Sequence, residues 1–200
     1  MSKRFSLPVL IVLLSTALPS TATAQERKGF WFSFGLGKGS IGISADDAAA
    51  TLISSDRDSA GVLDIGLGRA VKQQLLVGIE VNASPATLTN RRTGTIGSTN
   101  VSGTITYYPR SSSNFFVEGG VGGSFFKVAS DAAGYSPEVG AGFGFTAAAG
   151  YDIYLARGFS LTPAVGFWYG QPGDLREGGQ TMLKNWRHNV FDVTLSIKFN

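Results

Sequence analysis

Cysteine is absent from the 200-residue sequence, so disulfide bonds and thiolate metal sites are excluded. Beyond residue 24 the sequence also lacks any uninterrupted run of about 20 apolar residues, which is the length that a membrane-spanning helix needs. A helical membrane protein is therefore excluded. Glycine, by contrast, is abundant: there are 27, and this content, together with many aromatic residues, argues against a helical fold of any kind.

The first two dozen residues have the pattern of a targeting segment. Two bases precede an apolar stretch over 7–18, and Ala22 and Ala24 are the small residues that a signal peptidase reads. The sequence therefore predicts a secretory signal peptide over 1–24 and a mature domain over 25–200. A retained membrane anchor is the alternative, but about a dozen apolar residues are too few to span a bilayer as a helix.

Little net charge would remain after cleavage. The chain has 17 Lys and Arg against 14 Asp and Glu, and the leader holds two of the bases, so the mature chain would carry 15 against 14. This balance does not indicate a nucleic-acid partner.

Nearly all of the mature sequence alternates apolar and polar residues with period two, which is the signature of β-strands. The last strand is the clearest, with apolar residues at every odd position from Phe191 to Phe199. Eight strands are predicted, near 29–38, 61–70, 75–84, 95–108, 115–128, 139–156, 158–170 and 186–199.

The predicted connections alternate in length, with short turns near 71–74, 109–114 and 157–158 and longer polar loops near 44–60, 84–95, 130–138 and 171–185. Outer-membrane barrels have short periplasmic turns and long outer loops, and closure pairs every backbone group within hydrocarbon. We therefore predict an all-β fold, an eight-stranded antiparallel up-and-down transmembrane β-barrel. A soluble sandwich or lipocalin-like barrel is the alternative, but the face opposite the apolar stripe is too small and polar for its core.

Aromatic residues are expected in two girdles, one at each bilayer interface. The predicted topology puts one set at the periplasmic level (Phe30, Trp31, Tyr107, Tyr108, Phe115, Phe116, Tyr151, Tyr154, Phe159 and Phe199) and another at the outer level (Phe125, Phe126, Phe143, Phe145, Phe167, Trp168, Tyr169 and Trp186).

This pattern resembles the family of small eight-stranded outer-membrane barrels of the OmpA, OmpX and OmpW type. The most specific part of the resemblance is the final alternating strand, which in that family ends in an aromatic residue read by the barrel-assembly machinery. Phe199 would be this assembly signal, although Asn200 follows it here. The resemblance implies a monomer in the outer membrane of a Gram-negative bacterium, exported through the periplasm and surrounded by lipid and lipopolysaccharide.

Parity along the predicted strands places five carboxylates and one base in the barrel interior, namely Asp64, Glu80, Glu118, Asp152, Asp192 and Lys198. Eight strands leave an interior that side chains just fill, and unpaired carboxylates there are costly. Three hypotheses follow. Arg69, Arg157 or Arg187 could turn inward at a bulge and pair with the acids, some carboxyls could be protonated, or inward glycines could leave a watery, cation-favouring lumen.

Three weaker motifs carry no function. The glycine pattern over 37–42 fits a dinucleotide loop but lacks the following β-α-β context, and 56–61 resembles a calcium loop that lacks its acidic twelfth position. The only histidine, His188, suggests a lipid A deacylase, but the serine expected two residues later is Val190. Asp192 lies about 13 Å along the strand, so a triad fails.

The sequence thus predicts no catalytic residue, no cofactor and no metal site. The predicted function is a non-enzymatic structural or surface-interaction role in the outer membrane. A narrow porin-like channel or a route for small solutes, as in the OmpW type, is the first alternative, and a lipid A-modifying enzyme is the second and disfavoured one. Fold alone does not decide among them.

Overall fold

The computed structural model describes residues 27–44, 57–88, 94–130, 138–177 and 180–200. These residues form nine strand segments: β1 Phe30–Ser44, β2 Asp58–Lys72, β3 Leu75–Leu88, β4 Gly94–Tyr107, β5 Phe115–Ser130, β6 Glu138–Tyr151, β7 Ile153–Ala156, β8 Phe159–Glu177 and β9 Gln180–Phe199. Across the described ranges, no helix has the length and apolarity to cross a membrane. The predicted leader, with Ala22 and Ala24, lies outside them.

The strands close into one antiparallel barrel. Each strand from β1 to β6 pairs with the next along the chain, and β9 pairs with both β8 and β1. β8 completes the ring by pairing with β6 and with the short β7. β6 and β7 are two parts of one strand that is interrupted at Asp152, so the barrel has eight strands and the predicted fold class is confirmed.

Exposed outward side chains alternate with buried inward ones around the barrel. On β9, for example, Phe191, Val193 and Leu195 are exposed, whereas Asp192 and Thr194 between them are buried. The exposed apolar side chains form the outward belt, which is the arrangement of a barrel surrounded by lipid. We call the end with the short turns at 73–74 and 157–158 the turn end, and the opposite end the loop end.

Several strands extend further toward the loop end than the sequence predicts. β8 continues to Glu177 and β9 begins at Gln180, so most of the loop predicted over 171–185 is strand. β3 and β4 likewise run into the predicted loop, to Leu88 and from Gly94. Strands can continue to pair through their backbones above the bilayer, where no lipid requires an apolar outward face. The alternation of apolar and polar residues therefore stops before the strands end.

The barrel interior holds two clusters of buried apolar side chains. The turn-end cluster consists of Trp31, Leu76, Tyr108 and Phe116. The loop-end cluster consists of Ile41, Ala60, Val62, Phe126, Trp168, Trp186 and Val190. The prediction that all aromatic residues form girdles was therefore wrong for six of them, since Trp31, Tyr108, Phe116, Phe126, Trp168 and Trp186 are buried inside the barrel.

Glycines make room for these interior rings. A Cβ added at Gly66 would come within 2.7 Å of the Trp31 ring, and one at Gly78 within 2.5 Å of it. A Cβ at Gly150 would approach the Phe116 ring to 2.5 Å. Small and large residues alternate in this way inside small barrels. Gly66, Gly78 and Gly150 therefore provide the space in which inward aromatic side chains pack.

Candidate functional site

Arg27, which immediately precedes β1, fills the turn end of the barrel. Its side chain is buried, and its guanidinium carbon lies 3.4 Å from the centre of the Tyr108 ring. Its Nη2 donates to the carbonyl oxygen of Ser113 at 2.7 Å, and its backbone N donates to Gln73 Oε1 at 2.9 Å. The segment before the first strand is thus anchored across the turns of two hairpins.

Asp152 is the acceptor at the centre of this end. Tyr108 Oη donates to Asp152 Oδ2 at 2.6 Å, and Thr162 Oγ1 donates to Oδ1 at 2.9 Å. Arg27 Nε and Lys198 Nζ each lie 4.0 Å from Asp152 Oδ2. Lys198 Nζ also donates to Tyr108 Oη at 2.9 Å, so the tyrosine bridges the lysine and the carboxylate.

Lys198 lies inside the barrel as predicted, but the arginine that enters the barrel is not one of the three predicted. Arg69 and Arg157 are exposed, and the guanidinium of Arg69 lies 5.8 Å from the centre of the Phe30 ring on the outer surface. Arg187 stands at an outward position of β9, opposite Ser44. Arg69 and Arg187 keep the outward positions that parity gives to odd residues of β2 and β9, and Arg157 lies in the turn between β7 and β8. Arg27 lies before the first alternating segment, where the sequence gives no periodic signal.

The other four carboxylates line a small cavity in the barrel interior. Asp64, Glu80, Glu118 and Asp192 border a volume of ≈ 70 Å³ together with Asn82, Lys198 and small side chains. Among the residues that the structure describes, no three His, Asp or Glu side chains are arranged to hold a metal ion.

Amide and hydroxyl groups bind these carboxylates. Asn82 Nδ2 donates to Asp64 Oδ1 at 3.0 Å and to Glu80 Oε1 at 2.6 Å. Thr106 Oγ1 donates to Glu118 Oε2. The six predicted interior residues thus fall into two groups, four around the cavity and the Asp152–Lys198 pair beside it at the turn end. Lys198 belongs to both because it also borders the cavity.

His188 lies within the loop-end cluster. Its ring centre is 5.6 Å from those of Phe126 and Trp168, and neither ring nitrogen has a hydrogen-bond partner in the described part of the chain. A serine that the sequence argument did not consider, Ser124 of β5, borders the same glycine, Gly170, as His188 does. Both side chains are fully buried.

Phe199 is exposed on the outer surface at the turn end. Its ring stacks on Phe32 at 6.5 Å and packs against Phe159 at 5.2 Å. β9 meets both of its neighbours at this point, so the terminal aromatic residue covers the two seams where the barrel closes.

Solved structures share this fold. The chain is similar to Neisserial surface protein A, with 15% sequence identity, a TM-score of 0.59, and coverage of 86% of this chain and 97% of that one. It is similar to Ail, the attachment invasion locus protein of Yersinia pestis, with 10% identity, a TM-score of 0.53 and coverage of 86% and 99%. It is also similar to the outer membrane protein OprG from Pseudomonas aeruginosa, with 15% identity, a TM-score of 0.50 and coverage of 89% and 99%.

No protein-family model matches the chain, and no curated protein matches it by sequence. The structural likenesses nevertheless agree with one another and with the closed ring of strands. The chain has the fold of the small eight-stranded bacterial outer-membrane β-barrels. Its exposed apolar belt is the surface that such a barrel presents to lipid.

Proposed function

We propose that this protein is an integral outer-membrane barrel with a non-enzymatic role, which acts through its outer surfaces and does not conduct solutes along its axis. In this proposal it is exported through the periplasm, inserted by the barrel-assembly machinery, and monomeric among lipid and lipopolysaccharide. The observation that carries the proposal is the closure of the interior at both ends.

At the loop end, two indole rings and a phenyl ring fill the cross-section. Trp168 and Trp186 are 1% and 0% exposed, and the Phe126 and Trp186 ring centres are 4.8 Å apart. At the turn end, Arg27 and Lys198 pack around the Tyr108 ring and Asp152. The cavity between these layers has room for only a few water molecules. A continuous column of water is therefore not supported.

The same closure argues against the two alternatives. An axial channel would need a path past Trp168 and Trp186, and the carboxylates of the cavity would select ions only if such a path opened. A hydrolase built on His188 would need its nucleophile in contact with substrate, whereas His188 and Ser124 are buried.

A similar barrel supports a surface role. The attachment invasion locus protein of Yersinia pestis was solved in complex with the heparin analogue sucrose octasulfate, with 8% identity and a TM-score of 0.52 to this chain. A barrel of this kind can therefore bind a ligand. This likeness concerns the fold alone and does not identify a ligand for the present chain.

The test is conductance in planar bilayers of the refolded chain 25–200 and of a Trp168→Ala/Trp186→Ala variant. We expect no steps from the wild type and ion-conducting steps from the variant, because removal of both indoles clears the loop end. Slower gel migration before boiling than after it would verify folding of each sample. Steady conductance from the folded wild type would overturn the proposal.

A further inference from the structure

One outward lysine interrupts the apolar belt on β1. Phe32, Phe34 and Leu36 are exposed on the outward face, and the next outward residue is Lys38, which is also exposed. A lysine on the lipid face costs about 2–4 kcal/mol at the bilayer midplane and about 0–1 kcal/mol near the interface. Lys38 therefore marks the upper edge of the belt, where its amine can extend to the lipid headgroups.

An arginine just before the neighbouring strand is held at Ser40, which is the next outward residue above this lysine. Arg57 precedes β2, and its Nε donates to Ser40 Oγ at 3.0 Å. Its terminal nitrogens donate to the Ser40 carbonyl oxygen and to Asn189 Oδ1. Its guanidinium carbon lies 4.9 Å from the centre of the Phe191 ring. The guanidinium therefore lies across β1 and contacts β9.

These contacts leave part of the guanidinium available. An arginine side chain has five N–H donors, and the three described hydrogen bonds leave two for a ligand. Ser40 is the next outward residue after Lys38 on the same strand, and it pairs with Phe191. The Arg57 guanidinium thus lies over the Phe191 ring, and Lys38 is the outward residue of β1 that comes just before Ser40, to which Arg57 is bound.

The surrounding charge favours an anion. Asp58, Asp64 and Asp192 are the described carboxylates of β2 and β9, and all three stand at inward positions. β1 has no acidic residue. The outward face of these three strands is therefore basic at its upper edge, and Arg187 adds a third positive charge there.

We propose that Lys38 and Arg57, whose guanidinium packs on the Phe191 ring, bind the phosphate group of an outer-leaflet lipid. Arginine and lysine bind phosphate through charge-assisted hydrogen bonds, and the exposed Phe191 and Val193 side chains below give an acyl chain an apolar surface. This inference rests on the proposed outer-membrane location. It adds a specific lipid contact to a barrel for which only a general lipid environment is otherwise expected.

The chain contains a matched control for this site. Lys127 of β5 is exposed at an outward position immediately above the exposed Phe125. β5 lies four strands away from β1 around the eight-stranded ring, so Lys127 stands on the opposite wall. It shares the charge and the aromatic neighbour of the proposed site, and the described hydrogen bonds join no arginine to it.

The experiment measures retention of lipid A by native mass spectrometry of the detergent-refolded protein. The probes are bis-phosphorylated lipid A, its dephosphorylated form and inorganic phosphate, and the proteins are wild type, Lys38→Gln, Arg57→Gln and Lys127→Gln. We expect wild type and Lys127→Gln to retain bis-phosphorylated lipid A in preference to the dephosphorylated form. Lys38→Gln and Arg57→Gln should each bind it about tenfold more weakly, as for loss of one charge-assisted hydrogen bond.

Equal retention of the two lipid forms by wild type would overturn the inference, as would an equal loss of binding in Lys127→Gln. If inorganic phosphate binds with the same dependence on Lys38, the ligand of the site is a free anion and the proposed lipid contact is wrong. If Arg57→Gln does not fold, the comparison of Lys38→Gln with wild type and Lys127→Gln tests the inference by itself. Conductance is measured separately, so a conducting barrel that still binds the lipid would refute only the proposed function.

Discussion

The substitution Asp152→Asn tests whether the turn end of the barrel is held together by buried charge. Asp152 accepts hydrogen bonds from Tyr108 and Thr162 and lies 4.0 Å from the cationic groups of Arg27 and Lys198. Asparagine has nearly the same shape but no charge, so two buried cations would lose their carboxylate.

Removing one partner of a buried ion pair costs about 3–5 kcal/mol. We expect the lower end, about 3 kcal/mol, because the asparagine carbonyl can still accept one hydrogen bond. With a urea dependence of about 2 kcal/mol per M, the midpoint of unfolding should fall by about 1.5 M. The assay is urea unfolding in detergent, followed by tryptophan fluorescence and by gel mobility without boiling.

Two further variants sharpen this test. Lys198→Met in the Asp152→Asn background should restore part of the stability, since it removes one of the uncompensated cations, and this non-additivity measures the coupling. Asp174→Asn is the matched control, because Asp174 is half-buried at the loop end and its described hydrogen bond is a 3.2 Å contact from the Asn185 backbone N. Its effect should stay within about 0.5 kcal/mol. If Asp152→Asn were no more destabilising than this control, the turn end would not depend on buried charge.

Three more predictions follow from buried and seam positions. His188→Phe should leave the unfolding midpoint unchanged or raise it, because it replaces two unpartnered nitrogens within an aromatic cluster; a fall of more than about 1 kcal/mol would reveal a missed partner. Gly66→Ala should destabilise wild type by about 1–3 kcal/mol but have less effect in a Trp31→Ala background, and Gly119→Ala, where an added Cβ meets nothing within 4 Å, should be neutral in both. Phe199→Ala should lower the yield of heat-modifiable barrel in cell outer membranes more than it lowers refolding in detergent, whereas equal losses would assign Phe199 to stability alone.

The alternation of apolar and polar residues, together with the alternating lengths of the connections, was sufficient to predict the closed barrel and which side chains of each strand point outward. A period of two fixes which residues share a face, and lipid imposes that period on the outer face of every strand. For this reason the sequence alone assigns Glu80 and Asp192 to the interior, and both border the cavity. The ends of the strands were predicted less well, because nothing imposes the period beyond the bilayer.

The pairing of the interior could not be predicted from the same signal. Arg27 lies outside every alternating segment, and its contacts with Ser113 and Tyr108 join positions about 80 residues apart along the chain. Parity gives the direction of a side chain but not its partner across the lumen, which depends on the shear of the closed barrel. The arginines predicted to pair with the interior acids therefore lay within or beside the strands, whereas the one that does so, Arg27, precedes the first strand.

The interior glycines show why parity must be combined with volume. If only the polarity of the side chains is considered, a face rich in glycine suggests an open lumen. In a barrel of eight strands, however, each ring that points inward needs space on the facing wall, and Trp31 occupies the space left by Gly66 and Gly78. A glycine-rich inward face that also carries tryptophan is therefore better explained as a packed interior, and this packing leaves only a small acidic cavity among the inward side chains.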